Sequence, residues 1–251
     1  MNGIKGFFGR PGIIVKRELK SYFATPLGYI FILIFLLMSA FVTFEMGSFF
    51  ARGQADLQSF FNFQALLYVL LAPALAMRLW AEERNSGTIE LLLTLPITTF
   101  DAVLGKFIAA WVFSGLALAL TFPLWLTVIY LGSPDNGVIA ASYAGSWLMA
   151  GAFLALGSCM SALTRNQVIA FVLTITLCLL FVLLGMPPVL KFFYAWLPAH
   201  MTDLIANLSL MTHFQAISRG VLDLRDLLFF AGFIAIWLLA TKIIIDLKKS
   251  N

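Results

Sequence analysis

Few side chains in this sequence could carry chemistry. His200 and His213 are its two histidines, and methionines lie beside them, in His200-Met201 and Met211-Thr212-His213. Imidazole and thioether together suit copper. Methionine also fills gaps at apolar surfaces, and a histidine can simply hydrogen-bond nearby. In a stretch rich in aromatic residues the structural reading is favoured, so no metal site is assigned. The phosphate-binding pattern G-x-x-x-x-G-K-[ST] is absent: Gly105-Lys106 runs into Phe107 and lacks the loop. Neither H-E-x-x-H nor G-x-S-x-G occurs. Cys159 and Cys178 sit in apolar runs and read as buried thiols, not as a disulfide. No catalytic residue and no cofactor is assigned to this chain.

The one compact polar segment is Glu82-Glu83-Arg84-Asn85-Ser86-Gly87-Thr88-Ile89-Glu90-Leu91-Leu92-Leu93-Thr94-Leu95-Pro96. A helix running through Arg78 to Arg84 should stop at Asn85-Ser86-Gly87, where glycine permits the left-handed turn of a helix end. Ser86 or Thr88 can cap a new short helix, with Glu90 in its first turn at the positive end of the dipole. Leu91, Leu92, Leu93 and Leu95 give it an apolar surface, and Pro96 closes it. Thr98, Thr99 or Asp101 can start the next helix. A short leucine-rich knob of this kind fits a groove on another protein; the alternative is an inter-span loop packed on its own bundle.

The elements holding this segment are membrane spans. Hydrophobic residues make up 61% of the 251 and charged residues 11%, with mean hydropathy +0.97 and pI near 9.2. That charge content is far below the soluble norm. Six stretches are apolar over roughly 20 residues, the length a span needs: 27–46, 60–80, 107–131, 143–163, 168–186 and 227–245. The chain reads as one membrane domain, 1–251, without repeats or linkers and without a cleaved signal peptide. Its net charge of +4 reflects topology and not nucleic-acid binding. With the N-terminus inside, Lys5, Arg10, Lys16, Arg17, Lys20, Arg78, Arg84, Lys106, Arg165, Lys242, Lys248 and Lys249 fall on the inner side. Arg52, Lys191, Arg219 and Arg225 fall outside, which accounts for all 16 basic residues. The positive-inside rule therefore puts both termini in the cytoplasm. Ionisable groups near span ends (Glu45, Lys106, Lys242, Asp246) are within reach of the interface. Their scarcity at mid-membrane argues against an ion-coupled transporter or a channel, so any driving energy should come from another subunit.

Two flanking regions complete the reading. Residues 12–24 fit a helix lying in the inner interface, with Lys16, Arg17 and Lys20 near anionic headgroups. Pro26 disfavours helix at Thr25 and turns the chain into the membrane. The loop 187–226 is too apolar for a simple loop and too interrupted for a span. It contains Phe192, Phe193, Tyr194, Trp196 and Phe214, and it suggests short helices dipping into the outer leaflet. Gly220 can end one of them and Asp226 can cap the last span.

The segment 81–96 resembles the coupling-helix region of ABC-2 type exporter permeases, and within these the chain is most similar to the gliding-motility-associated subunit. Further support comes from Lys16-Arg17-Glu18-Leu19 through Thr25-Pro26-Leu27-Gly28-Tyr29, from Leu163-Thr164-Arg165-Asn166-Gln167, and from Thr212-His213-Phe214 through Arg219-Gly220-Val221 with Asp223, Arg225 and Asp226. The resemblance implies an all-α integral membrane protein of the type V exporter kind. It would have six spans, an amphipathic elbow helix within 1–26, a cytoplasmic coupling helix within 81–100 and short outer helices within 187–226. It implies a bacterial inner-membrane location. Glu82, Glu83, Gly87, Thr88, Glu90, Leu91, Leu92 and Leu93 would couple to a separate cytoplasmic ATPase dimer that carries the ATP and magnesium. His213, Arg219, Gly220, Asp223 and Asp226 would be structural in the outer loop. A second permease, either another copy or a related subunit, would pair with this one in the lipid. A protein with a large extracytoplasmic domain is a further implied partner. The expected function is the permease subunit of an ATP-driven exporter. The alternative is a complex that transports nothing and transmits movement to an envelope or motility partner.

Overall fold

The protein is described here as a computed structural model that covers residues 2–88, 98–196, 198–221 and 223–249, excluding the side chains of 2–10, 199 and 249. It is helical throughout, with no strand among the described residues. α1 (Asn2–Ala24) ends at Thr25, whose extended backbone is what the following proline demands, and α2 (Pro26–Phe41) begins with that proline in its first turn. A π-helical turn (Val42–Met46) and a single turn, α3 (Phe49–Arg52), lead to α4 (Gln58–Ala76). After a break comes α5 (Ala81–Asn85). α6 (Thr99–Ala119) and α7 (Phe122–Leu131) follow, then α8 (Asn136–Leu163) and α9 (Gln167–Leu183). Three short helices, α10 (Pro187–Tyr194), α11 (Ala199–Asn207) and α12 (Leu210–Ile217), precede the long α13 (Leu224–Lys249).

Five segments are long and apolar enough to cross a membrane: Pro26–Arg52, Gln58–Asn85, Thr99–Leu131, Asn136–Leu163 and Leu224–Lys248. A sixth results if α9 and α10, bent by 71°, are taken together. At 17 residues α9 alone reaches about 25 Å, most of a hydrocarbon core. The helix of the third span starts at Thr99, one of its three expected starts and eight residues before the apolar run at 107, because Thr98 and Asp101 form a complete capping box. Asp226 was expected to cap the last span. Asp223 does so instead, its Oδ1 accepting from Arg225 N at 3.1 Å, while Asp226 turns inward.

The core is built around α8, which packs against α4, α6, α9, α12 and α13. Its small residues let neighbours come close. On α6 and α8 the same short pattern, Trp-x-x-x-Gly, occurs as Trp111…Gly115 and Trp147…Gly151. The two indoles stack 4.4 Å apart, and each donates to the other tryptophan's carbonyl, at 2.8 and 3.0 Å. A Cβ at Gly115 would lie 2.6 Å from Trp147 Nε1, and one at Gly151 would lie 2.8 Å from Trp111 Nε1. The glycines are thus what allow the rings to lie flat on the opposing helix. Further along α4 and α8, Ser146 Oγ donates to the buried Tyr68 hydroxyl at 3.2 Å.

Candidate functional site

At the end of the bundle that carries most of the basic residues, α4 stops at Ala76 and the chain turns once before α5. A broken helix leaves backbone groups that need partners when buried. α8 supplies them: Ser161 Oγ accepts from Trp80 N (3.1 Å) and Ala81 N (3.0 Å) and donates to Met77 O (2.9 Å). Trp80 is fully buried and its indole donates to Ser158 Oγ at 3.0 Å. The break is therefore a fixed feature of the fold.

On this platform sits a cluster of four charges from three elements. Lys106 of α6, its side chain 3% exposed, lies 2.7 Å from Glu83 of α5 and 3.5 Å from Glu18 of α1. Arg17 of α1 lies 2.7 Å from Glu18 and 3.9 Å from Glu83. Lys106 also stands 5.3 Å from the centre of the Trp80 ring, within cation–π range. The cluster is neutral, which is how buried charge is tolerated. One acceptor remains: Glu83 Oε2 is buried with no hydrogen-bond partner among the described residues. Beside it Arg78 and Glu82, one helical turn apart, form a bidentate pair at 2.7 and 3.1 Å. Cations also cap the open end of α8, Arg84 donating to Ala162 O (2.7 Å) and Lys248 to Leu163 O (2.7 Å).

α5 ends as its sequence dictates. Gly87 has φ +73°, and Ser86 Oγ donates to Glu82 O at 2.9 Å. Of the residues singled out for coupling, Glu82, Glu83, Gly87 and Thr88 are here. Glu90, Leu91, Leu92 and Leu93 lie outside the described residues. Of Lys16, Arg17 and Lys20 on α1, the first and last are exposed and Arg17 joins the cluster. Lys106 was expected to reach out to the interface; instead it is buried and paired. Sequence reasoning missed it, along with Glu18, Trp80, Ser158 and Ser161. The available signal was the Thr98–Asp101 capping box, which places Lys106 two turns inside a helix and not at its mouth.

The opposite end holds the outer-loop residues. Gly220 follows α12 with φ +87°. His213 and Asp226 are buried, with His213 Nδ1 2.6 Å from Asp226 Oδ1. His213 Nε2 lies 2.9 Å from Asn207 O. A carbonyl only accepts, so Nε2 carries a hydrogen. The ring stacks on Phe229 at 3.8 Å. With both nitrogens engaged, His213 ties α11 and α12 to α13 and has no lone pair free for a metal. Among the described residues no three histidine, cysteine or carboxylate side chains gather as a metal site.

Near this end a funnel of about 550 Å³ opens between the start of α4, the start of α8 and the end of α12. Leu57, Phe61 and Ile139 form its buried floor, and Asp56, Asp135 and Arg219 stand among its polar walls.

Residues 27–244 match the model of the ABC-2 family transporter proteins, well over half the chain, and the protein belongs to that family. The match carries no subtype. A comparison with curated proteins finds no match. The chain is thus a multi-pass membrane permease component of an ABC transporter, a kind of subunit that generally works with an ABC ATPase.

Proposed function

We propose that this chain is the permease subunit of an ATP-driven exporter in a bacterial inner membrane, with its basic end in the cytoplasm. The observation that carries this reading is the Lys106 cluster. Glu83 lies within the segment 82–96 that carries the leucines, and it shares its cation with Glu18 on α1. A push on that segment by an ATPase dimer would be felt at once in α1, which acts as the elbow helix, and in α6. The Met77–Trp80 break, tied to α8 through Ser161 and the buried Trp80, would carry that push as a fixed joint. Glu82, Glu83, Gly87, Thr88, Glu90 and Leu91, Leu92 and Leu93 form the docking surface in this reading. The void between α2, α4, α6 and α8, lined by Phe35, Tyr68 and Leu154 among others, measures only about 10 Å³. A substrate path therefore belongs between this chain and a second permease. The gliding-motility subtype remains a finer form of the same proposal.

Gentle-detergent purification from the native membrane tests this, with mass spectrometry and an ATPase assay on the eluate. A stoichiometric cytoplasmic ATPase should accompany the chain, and Glu90→Lys should abolish nucleotide-dependent stimulation while the complex still assembles. Normal stimulated turnover in Glu90→Lys would sink the coupling role. The tight interior equally suits a complex that moves no substrate. Stimulated ATPase activity with a companion bearing a large extracytoplasmic domain, and no transported molecule, would favour mechanotransmission.

A further inference from the structure

The funnel at the end opposite the Lys106 cluster has walls that its own fold leaves half used. Asp56 is committed: Oδ2 lies 3.4 Å from Arg52, and Oδ1 accepts from Gln58 N at 3.0 Å. Asp135 is partly committed, with Oδ1 accepting from Gly137 N and Val138 N at the start of α8, which leaves Oδ2 without a partner among the described residues. Arg219 is on the exposed wall and its guanidinium makes no ion pair or hydrogen bond among the described residues. The cavity therefore presents one unspent cation, one half-spent carboxylate and an apolar floor of Leu57, Phe61 and Ile139. Its volume lies within the range of small-molecule sites, about 300–1,000 Å³.

We infer that this funnel binds a zwitterion with an apolar moiety. The ligand's anionic group would meet Arg219, whose planar fork suits carboxylate and phosphate oxygens. Its ammonium would meet Asp135, and its apolar part would cover the floor. A simple anion would leave Asp135 unanswered and a simple cation would leave Arg219 unanswered; a ligand with both charges matches the pair. Two sources have this chemistry: an aminophospholipid headgroup from the surrounding leaflet, and a free apolar amino acid from the water.

The full chain in nanodiscs, without nucleotide, provides the test, so the result stands apart from the coupling proposal. Native mass spectrometry would compare retained phosphatidylethanolamine with phosphatidylglycerol. Calorimetry with L-leucine in phosphatidylglycerol discs forms the second arm. The expected result is retention of phosphatidylethanolamine over phosphatidylglycerol by about tenfold, the size of one well-placed charge-assisted contact, or else saturable leucine binding. The lipid preference should fall to parity in Asp135→Asn, Arg219→Gln should weaken retention of both phosphate-bearing lipids, and leucine binding should be lost in both variants. Asparagine still caps a helix, so Asp135→Asn removes charge without unseating α8. Lipid preference alone assigns the leaflet as the source, and leucine binding assigns the aqueous side. No preference in either arm, or a lipid preference or leucine binding that survives Asp135→Asn, overturns the assignment.

Discussion

At the basic end, Lys106 meets Glu83 and Glu18, which come from two other elements; at the opposite end, His213 meets Asp226 and the Asn207 carbonyl. Both sites bury charge, but they are wired differently. The Lys106 site joins α1, α5 and α6, which no other described hydrogen bond unites, and leaves Glu83 Oε2 without a partner among the described residues. The His213 site uses every ring nitrogen to hold short helices against α13. A site with a spare acceptor, next to a broken helix, suits transmission of movement. A site with none suits a fixed cover.

The sharpest test of this contrast is Lys106→Met. It leaves the largely buried Glu83 with Arg17, 3.9 Å away, as its remaining cation; breaking a buried pair from one side costs about 3–5 kcal/mol, and the lower figure applies, because Arg17 remains and Glu83 keeps some exposure. Thermal unfolding of the detergent-solubilised chain should show the loss, and nucleotide-dependent ATPase stimulation should fall with it. Lys106→Met combined with Glu83→Leu should recover most of the stability but not the stimulation. Recovery of both would mean that the cluster only holds the bundle together.

His213→Leu should cost about 2–3 kcal/mol, since it leaves the buried Asp226 carboxylate and the Asn207 carbonyl without their partner. Hydrogen exchange should rise in α11 and α12 and remain unchanged in α1 and α5. Asp226→Asn should be milder, because its amide can still donate to Nδ1. Exchange that spreads to the basic end would show that the two sites are coupled and that the outer cover is not fixed independently.

Between the ends, the paired tryptophans fix α6 to α8. Gly151→Ala puts a methyl against the Trp111 indole, and overpacking of this kind costs about 1–3 kcal/mol. A fall in unfolding temperature with unchanged ATPase stimulation would mark this contact as structural alone.

What could be read from the sequence divides along physical lines. Apolar runs of bilayer length made the spans visible, and the glycine and proline punctuation made the stops at Thr25, Gly87 and Gly220 visible. Local chemistry could not show which distant groups would meet. Lys106 looked like a span-end cation because its partners, Glu18 and Glu83, lie 88 and 23 residues away. Asp226 looked like a cap because its partner His213 sits on another helix. Ser158 and Ser161 looked like ordinary small residues of a packed span, and only the break in α4 gives them a task. The broken span itself was hidden by continuous hydropathy through Leu79 and Trp80.

The smallest effect compares two glycines that do the same job at opposite ends. Gly87 and Gly220 both adopt left-handed backbone, at φ +73° and +87°. An alanine in that region costs about 1 kcal/mol from backbone strain alone. At Gly87 an added Cβ would meet nothing within 4 Å, so Gly87→Ala should cost only that amount. At Gly220 the Cβ would lie 2.8 Å from Val138 Cγ2, on the wall of the funnel, so Val138 must shift and Gly220→Ala should cost more. Asparagine tolerates the left-handed region better than alanine. Gly87→Asn should therefore regain part of the loss, while Gly220→Asn should not, because the same Cβ still meets Val138. Equal losses at the two positions, read by chemical denaturation, would show that the packing of α12 against α8 yields freely. The opposite end would then be no more rigid than the end assigned to coupling.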